Sequence, residues 1–153
     1  MKNQDVEISD ELLEELKKVN VPTATQYLLG RGFANAYVIG IEAAALRPGQ
    51  KMVGRARTLR FVPKREDLVK AQYGAVTGRP HRDAIESIER NEILVIDAYG
   101  DRGAGVVGDM FTRRVQARGG TGIVADAVVR DLSAIKTVGL PLYCLGSHGS
   151  GIQ

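Results

Sequence analysis

Apolar and polar positions divide this chain into two differently patterned halves. From Ile93 onward, short apolar runs alternate with amphipathic stretches. Glu92–Asp97, Gly122–Asp126 and Leu140–Leu145 read as buried strands, because each run is apolar, short and bounded by turn residues. Asp109–Arg118 and Asp131–Val138 read as the helices between them. Strand–helix–strand alternation predicts parallel neighbours joined by crossovers, and so an α/β fold. Before Ile93 the pattern is looser. Ser9 is placed to cap a helix with Asp10 and Glu11 in its first turn, an apolar stripe of Leu12, Leu13 and Leu16, and Lys17 and Lys18 at its end; these charges suit the helix dipole. Val21-Pro22-Thr23 restarts the chain, with Thr23 as the cap of a second helix ending at Gly30 or Gly32. Tyr37–Ile41 is expected to be a buried strand and Leu46–Gln50 a turn. Met52–Phe61 mixes Val, Thr and Phe with Arg, as a strand with one wet face does. Alternation places Arg55 and Arg57 on one face and Arg60 on the other. Glu66–Tyr73 is weakly helical, and Arg82–Arg90 is a better helix with Ile85 and Ile88 on one side.

No internal repeat or low-complexity stretch divides the chain. The expected organisation is an N-terminal amphipathic helix over 1–20 and a single α/β catalytic-type domain over 21–153. The last stretch, Ser147–Gln153, is rich in turn residues directly after a core strand. It reads as a connection to further strands, so C-terminal strands are expected to be missing from this chain.

Composition narrows the class. With 44% hydrophobic and 25% charged residues, the chain can bury an ordinary soluble core. Eighteen glycines and no tryptophan shift the emphasis from aromatic packing to tight turns and close backbone approaches. A net charge of +3 does not by itself argue for nucleic acid, and the basic residues Arg55, Arg57, Arg60, Lys64 and Arg65 read as a solvated strand and loop. The single cysteine, Cys144, excludes an intrachain disulfide framework and sits in an apolar run, as a buried thiol does. The polar start is expected to belong to the domain and not to a signal peptide, and no apolar run approaches the ~18 residues of a membrane span. The expected compartment is the cytoplasm.

Gly103-Ala-Gly-Val-Val-Gly108 matches a dinucleotide-binding glycine pattern. The spacing argues against that use: Asp97 to Arg102 separate it from the strand, and the helix opens with an acid, Asp109. A loop whose amides approach a smaller anion suits the same glycines. Gly108-Asp109 stands at a helix start. Arg130-Asp131 follows the next strand. Each pair has an ordinary explanation, an acid favoured by the helix dipole in one case and a surface capping pair in the other. Their convergence argues for more, because ligands of parallel α/β units gather beyond the carboxyl ends of the strands. Amides from Gly108 onward and the fork of Arg130 suit a carboxylate or keto oxygen, and Asp131 suits a hard cation such as Mg²⁺. His81 and His148 lack metal-ligand spacing and read as loop histidines. Tyr99 reads as packing or a pocket wall.

At these residues the chain resembles the family that joins the regulator of ribonuclease activity A to the class II 4-hydroxy-4-methyl-2-oxoglutarate aldolases. The likeness rests on Gly108-Asp109 and Arg130-Asp131, 22 positions from Gly to Arg. Val21-Pro-Thr-Ala-Thr25, Val53-Gly-Arg-Ala-Arg-Thr58, Ile93-Leu-Val-Ile-Asp97, Gly119-Gly-Thr-Gly-Ile-Val124 and Gly139-Leu-Pro141 add to it. The resemblance implies a three-layer β/β/α swivelling-type fold and a homotrimer or hexamer, with a pocket near a subunit interface. It implies a pyruvate-type ligand on the amides of Gly108, Asp109, Met110 and Phe111 and on Arg130. It implies Mg²⁺ or Mn²⁺ at Asp131, with Asp109 orienting the water that protonates the product. The implied activity is a metal-dependent lyase for small 2-oxo acids, such as 4-hydroxy-4-methyl-2-oxoglutarate or oxaloacetate. The other branch of the family implies a protein inhibitor of a ribonuclease E-type endoribonuclease. Neither implies a membrane or direct nucleic-acid binding. Two positions depart from the aldolase pattern: Ala134 replaces an acid three residues after the metal aspartate, and Ala127 replaces a common glycine.

Overall fold

The computed structural model describes residues 8–63 and 80–152. It divides into two compact units, 1–39 and 40–153. In the first, α1 (Asp10–Lys18) starts where Ser9 Oγ accepts the Leu12 amide at 3.2 Å. Glu14 and Lys17 pair one turn apart at 2.6 Å. Leu13 is buried, whereas Leu12 and Leu16 remain exposed. Helix α2 (Val21–Gly30) begins earlier than expected: its N-cap is Asn20, and Thr23 lies inside the helix. Proline at the second helical position explains the shift, since its fixed φ and missing N–H suit a first turn. Residues 37–39 form no strand and are exposed. Their apolar character alone carried the expectation of a strand over Tyr37–Ile41, and that run supplies no ladder partner.

The second unit is built on a five-stranded sheet of order β1-β6-β4-β3-β2. Its strands are β1 (Glu42–Ala45), β2 (Arg55–Arg60), β3 (Glu92–Asp97), β4 (Gly122–Asp126) and β6 (Leu142–Cys144). The last four run parallel and β1 is antiparallel to β6. Between β4 and β6 come a two-residue strand β5 (Val128–Val129) and a helix; β7 (Gly146–Ser147) pairs in parallel with β5 as a second small sheet. The helices are α3 (Pro80–Glu86), α4 (Asp109–Ala117) and α5 (Leu132–Val138). The expected α/β fold stands. The expected helix over Glu66–Tyr73 lies outside the described residues, and the one over Arg82–Arg90 is displaced towards Pro80. Among the described residues no helix is long and apolar enough to cross a membrane.

Alternation sorts the sheet into two faces. Leu94, Ile96, Ile123, Ala125, Leu142 and Cys144 are almost fully buried and join Ile85, Val115, Ile135 and Val138 from the helices in one core. Burying each larger aliphatic side chain contributes about 1.5–3 kcal/mol. The core holds the carboxyl ends of β3 and β4 side by side, with Asp97 opposite Asp126.

One charged pair is embedded in this sheet. Glu92, only 8% exposed, accepts Arg57 Nε at 3.0 Å and Nη2 at 2.7 Å, and also the Glu89 amide at 2.8 Å. Burial alone would raise the Glu92 carboxyl; the Arg57 hydrogen bonds, the Glu89 amide and the charges of Arg57 and Arg55 outweigh it and hold the carboxyl below its usual value. The folded value therefore lies below the unfolded one. The pair's contribution to stability is complete above the unfolded carboxylate value, ~4.3, and is lost as pH falls through the folded value. Glu92→Gln is expected to destabilise the protein by about 2 kcal/mol at neutral pH, since the charge-assisted hydrogen bonds that Arg57 and the Glu89 amide donate to this buried carboxylate are weakened. It should also flatten the stability loss below about pH 4. Urea unfolding at several pH values checks both; equal acid sensitivity in the variant and the parent would assign that loss to other carboxylates.

Candidate functional site

Helix α4 begins with Gly108 as its N-cap and Asp109 as its first residue, with no side-chain cap. The amides of Asp109, Met110 and Phe111 have no intrahelical acceptor, as at any helix start. The Gly108 carbonyl is fixed from the other side, accepting the Thr112 amide at 3.0 Å and Thr112 Oγ1 at 2.9 Å. Thr112 is fully buried, so it anchors this turn to the core. Asp109 is partly exposed and faces Arg113 Nε at 3.7 Å. Met110 is 76% exposed, and Phe111 packs against the core.

Arg130 and Asp131 join β5 to α5. Asp131 is the N-cap residue of α5, yet its side chain makes no capping bond and its backbone is left-handed, φ 55. A non-glycine residue in this region costs roughly 1 kcal/mol, less for Asp than for most. The carboxylate instead pairs with its neighbour, Oδ2 lying 3.2 Å from Arg130 Nε. Both side chains are about half exposed. The ordinary explanation, an aspartate spent on capping, is therefore not what the geometry shows.

Backbone ladders bring the two pairs together. Val106 donates to Val128 O at 3.0 Å, and Arg130 donates to Val107 O at 2.9 Å. Residues 105–108 thus run directly alongside 128–131. A methyl group at position 108 would lie 2.9 Å from Asp131 Oδ2 and 3.0 Å from Arg130 Nε. One at position 105 would lie 2.6 Å from the Arg130 nitrogen. Two glycines of the Gly103–Gly108 pattern are therefore explained by close approach to Arg130 and Asp131, not by a dinucleotide. All of Gly108, Asp109, Met110, Phe111, Arg130 and Asp131 fall in this one region.

Other candidates lie outside it or are spent. Burial pushes the Cys144 thiol up, and its Sγ donates to Gly146 O at 3.3 Å, which suits a structural thiol. His148 Nδ1 accepts the Ser150 amide at 3.1 Å. His81 packs edge-on against Phe111, ring centroids 5.3 Å apart. Asp126 accepts the Gly100 amide at 2.9 Å, and Asp97 pairs with Arg60 at 2.8 Å, so both acids brace the carboxyl end of the sheet. A cleft of about 420 Å³ beside β1, lined among others by Ala45, Arg47, Gln50 and Lys136, does not include Gly108 or Arg130. Sequence reasoning did not find Gly151, where a methyl group would lie 2.9 Å from Arg130 Nη1. The signal available was the density of glycines in Ser147–Gly151.

For a metal, the donor set is one half-exposed carboxylate free of capping duty. The described residues contain no group of three side chains able to hold an ion. A hard cation held by this carboxylate would keep most of its waters.

Comparison with known proteins bears on the same region. The RraA-like model, described as Aldolase/RraA, matches residues 8–153. A Halalkalibacterium halodurans protein provisionally named a 4-hydroxy-4-methyl-2-oxoglutarate aldolase is 31% identical over 104 residues, 67% of this chain and 43% of that protein. Protein DlpA of Legionella pneumophila is 29% identical over 103 residues, 67% of this chain and 16% of its own length. This chain thus spans less than half of either named relative. The crystal structure of Streptomyces coelicolor RraAS2, called an unusual member of the RNase ES inhibitor RraA family, matches with a TM-score of 0.80 at 32% identity, over 95% of this chain and 68% of that one. A family match running through both Gly108-Asp109 and Arg130-Asp131, on a shared fold, places this chain in the RraA-like, Aldolase/RraA, family.

Proposed function

We propose that this chain carries the site of a divalent-metal-dependent carbon–carbon lyase for small 2-oxo acids that releases pyruvate. The observation that supports it most is the contact of the α4 start with Arg130 and Asp131, where Asp131 gives up helix capping. The aldolase name of the Halalkalibacterium halodurans relative points the same way. The site lies within residues 40–153, which we take as the catalytic unit.

The substrate's carboxylate would take the amides of Asp109, Met110 and Phe111, where the helix dipole favours negative charge. Arg130 would hold the carboxylate or adjacent keto oxygen in a fork. In 4-hydroxy-4-methyl-2-oxoglutarate, the C4 hydroxyl would pass its proton to the water that Asp109 orients as the C3–C4 bond breaks. One pyruvate leaves as the ketone, and the electron pair passes into the enolate of the other. Arg130 stabilises the charge developing on that oxygen. Asp109, at the mouth of the helix, would orient the water that protonates C3 of the enolate. In oxaloacetate the same enolate follows loss of carbon dioxide. Asp131 would hold Mg²⁺ or Mn²⁺, which when bound supplies Lewis-acid stabilisation of the enolate oxygen. A homotrimer or hexamer would wall this region with a neighbouring subunit.

A second reading is a protein inhibitor of a ribonuclease E-type endoribonuclease. The likeness to RraAS2 favours it, as does Ala134, which puts no second acid near Asp131.

A coupled pyruvate-release assay with oxaloacetate and 4-hydroxy-4-methyl-2-oxoglutarate tests the first reading. Turnover is expected with Mg²⁺ and not with EDTA. Arg130→Ala should lower kcat/KM by about 10²–10³-fold, the usual cost of removing an oxyanion donor. Undiminished turnover in Asp131→Ala would remove the metal assignment. No turnover on either substrate, with inhibition of RNA cleavage by a ribonuclease E-type enzyme, would replace the lyase by the regulator.

Gly108→Ala offers a steric check on the same assay. Its φ of −118 admits alanine, so the variant should fold. The added methyl group displaces both Arg130 Nε and Asp131 Oδ2, and an activity loss of about 10–10²-fold is expected from such misplacement. Parent-like kcat/KM in a folded Gly108→Ala would show that this contact does not set the rate.

A further inference from the structure

The turn after β7 has no role in the chemistry above, yet it closes on Arg130. Val129 and Ser147 pair across β5 and β7, and His148 donates to Val129 O at 2.8 Å. Ser150 donates to His148 Nδ1, which folds the chain back. Gly105 then donates to Ser150 O at 2.7 Å and bridges in parallel to Gly151. Arg130 consequently passes between three glycines. Gly105 meets its backbone and Cβ, Gly108 its Nε, and Gly151 its tip. A methyl group at 151 would sit 2.9 Å from Nη1, 3.5 Å from Cζ and 3.6 Å from Cδ.

We propose that Gly151 is a positioning residue: its bare backbone forms the far wall of a glycine slot that fixes the Arg130 guanidinium for a carboxylate ligand. The slot locates the group without consuming its donors. Asp131 engages Nε, and a glycine wall presents no side-chain acceptor to the terminal nitrogens. The side chain still stays about half exposed. An arginine has long rotatable torsions, and holding it in place before the ligand arrives lowers the entropy lost on binding. A larger residue at 151 would push the tip aside, because Nη1 is the flexible end of the contact.

The inference rests on the reading of Arg130 as the carboxylate ligand, and the experiment separates the two. Pyruvate is the probe, titrated calorimetrically into the parent, Gly151→Ala, Gly149→Ala and Arg130→Ala. Neither Gly149 nor Gly151 has a left-handed φ, so alanine is conformationally allowed at both. Gly149 has nothing within 4 Å of its added methyl group and controls for stiffening of the turn. Gly151→Ala is expected to weaken pyruvate binding about tenfold, as sub-ångström misplacement of a binding group does. Gly149→Ala should bind like the parent, with both melting temperatures unchanged. If Gly151→Ala and Gly149→Ala bind alike while Arg130→Ala abolishes binding, the positioning role is overturned and the carboxylate site survives. If Arg130→Ala binds pyruvate like the parent, both are overturned. Should Gly151→Ala also lower the melting temperature, the same substitution in an Arg130→Lys background decides. A penalty that disappears there belongs to the guanidinium, and one that persists belongs to the fold and refutes the proposal.

Discussion

The short ladder between residues 105–107 and 128–130 is the constraint on which the site depends. Its hydrogen bonds, Val106 to Val128 and Arg130 to Val107, are backbone groups that must be satisfied wherever water is excluded. Val106, Val107, Val128 and Val129 are all buried, so neither segment can slide or peel without exposing apolar surface and unpaired amides together. The two candidate pairs inherit this rigidity because each begins where the ladder ends. Gly108 follows Val107, and Arg130 follows Val129. The absence of side chains at 105 and 108 then follows from distance rather than from a ligand. The left-handed Asp131 follows too: the chain must turn sharply from β5 into α5 at that residue, and the strain sits where the carboxylate is presented.

The elements that sequence reasoning located are those whose signal is local. Strands β3 and β4 are apolar runs bounded by turn residues, with α4 between them and α5 between β4 and β6, in the expected order. Strand β1 was missed because Glu-Ala-Ala-Ala has little strand propensity; its place comes from pairing with β6, nearly a hundred residues away. The opposite error, a strand over Tyr37–Ile41, arose from apolar content without a partner. Strands β5 and β7 have two residues each, too few for any periodicity. Yet they close the site. The residue types at Gly108, Asp109, Arg130 and Asp131 were legible, and so was their convergence at the carboxyl ends of parallel strands. The slot around Arg130 was not, because a contact between Gly105 and Gly151 leaves no trace in a local pattern.

The basic residues of β2 show what charge read along a sequence leaves out. Arg55, Arg57 and Arg60 alternate as a wet strand should and read as a solvated face. Parallel pairing sets β2 beside β3, whose first and last residues are acids. Arg57 closes on Glu92 at one end, and Arg60 closes on Asp97 at the other. Arg60 also lies over the Tyr99 ring, 5.9 Å from its centroid. These contacts clamp the edge strand to the sheet.

Ala134 decides how the site must work if it is a lyase. It stands one turn into α5, on the helix that Asp131 opens, where an acid would add a second negative charge. With alanine there, a hard cation held at Asp131 would keep most of its hydration shell. The same carboxylate also faces Arg130 Nε, so cation and guanidinium compete for its charge. Each then weakens the other until a ligand carboxylate arrives to neutralise both. Substrate and metal should therefore bind with positive coupling, each ligand raising the affinity for the other by the same factor. A protein that only inhibits another protein has no need of that coupling. Metal affinity measured with and without pyruvate thus bears on the choice between lyase and regulator even where turnover is slow.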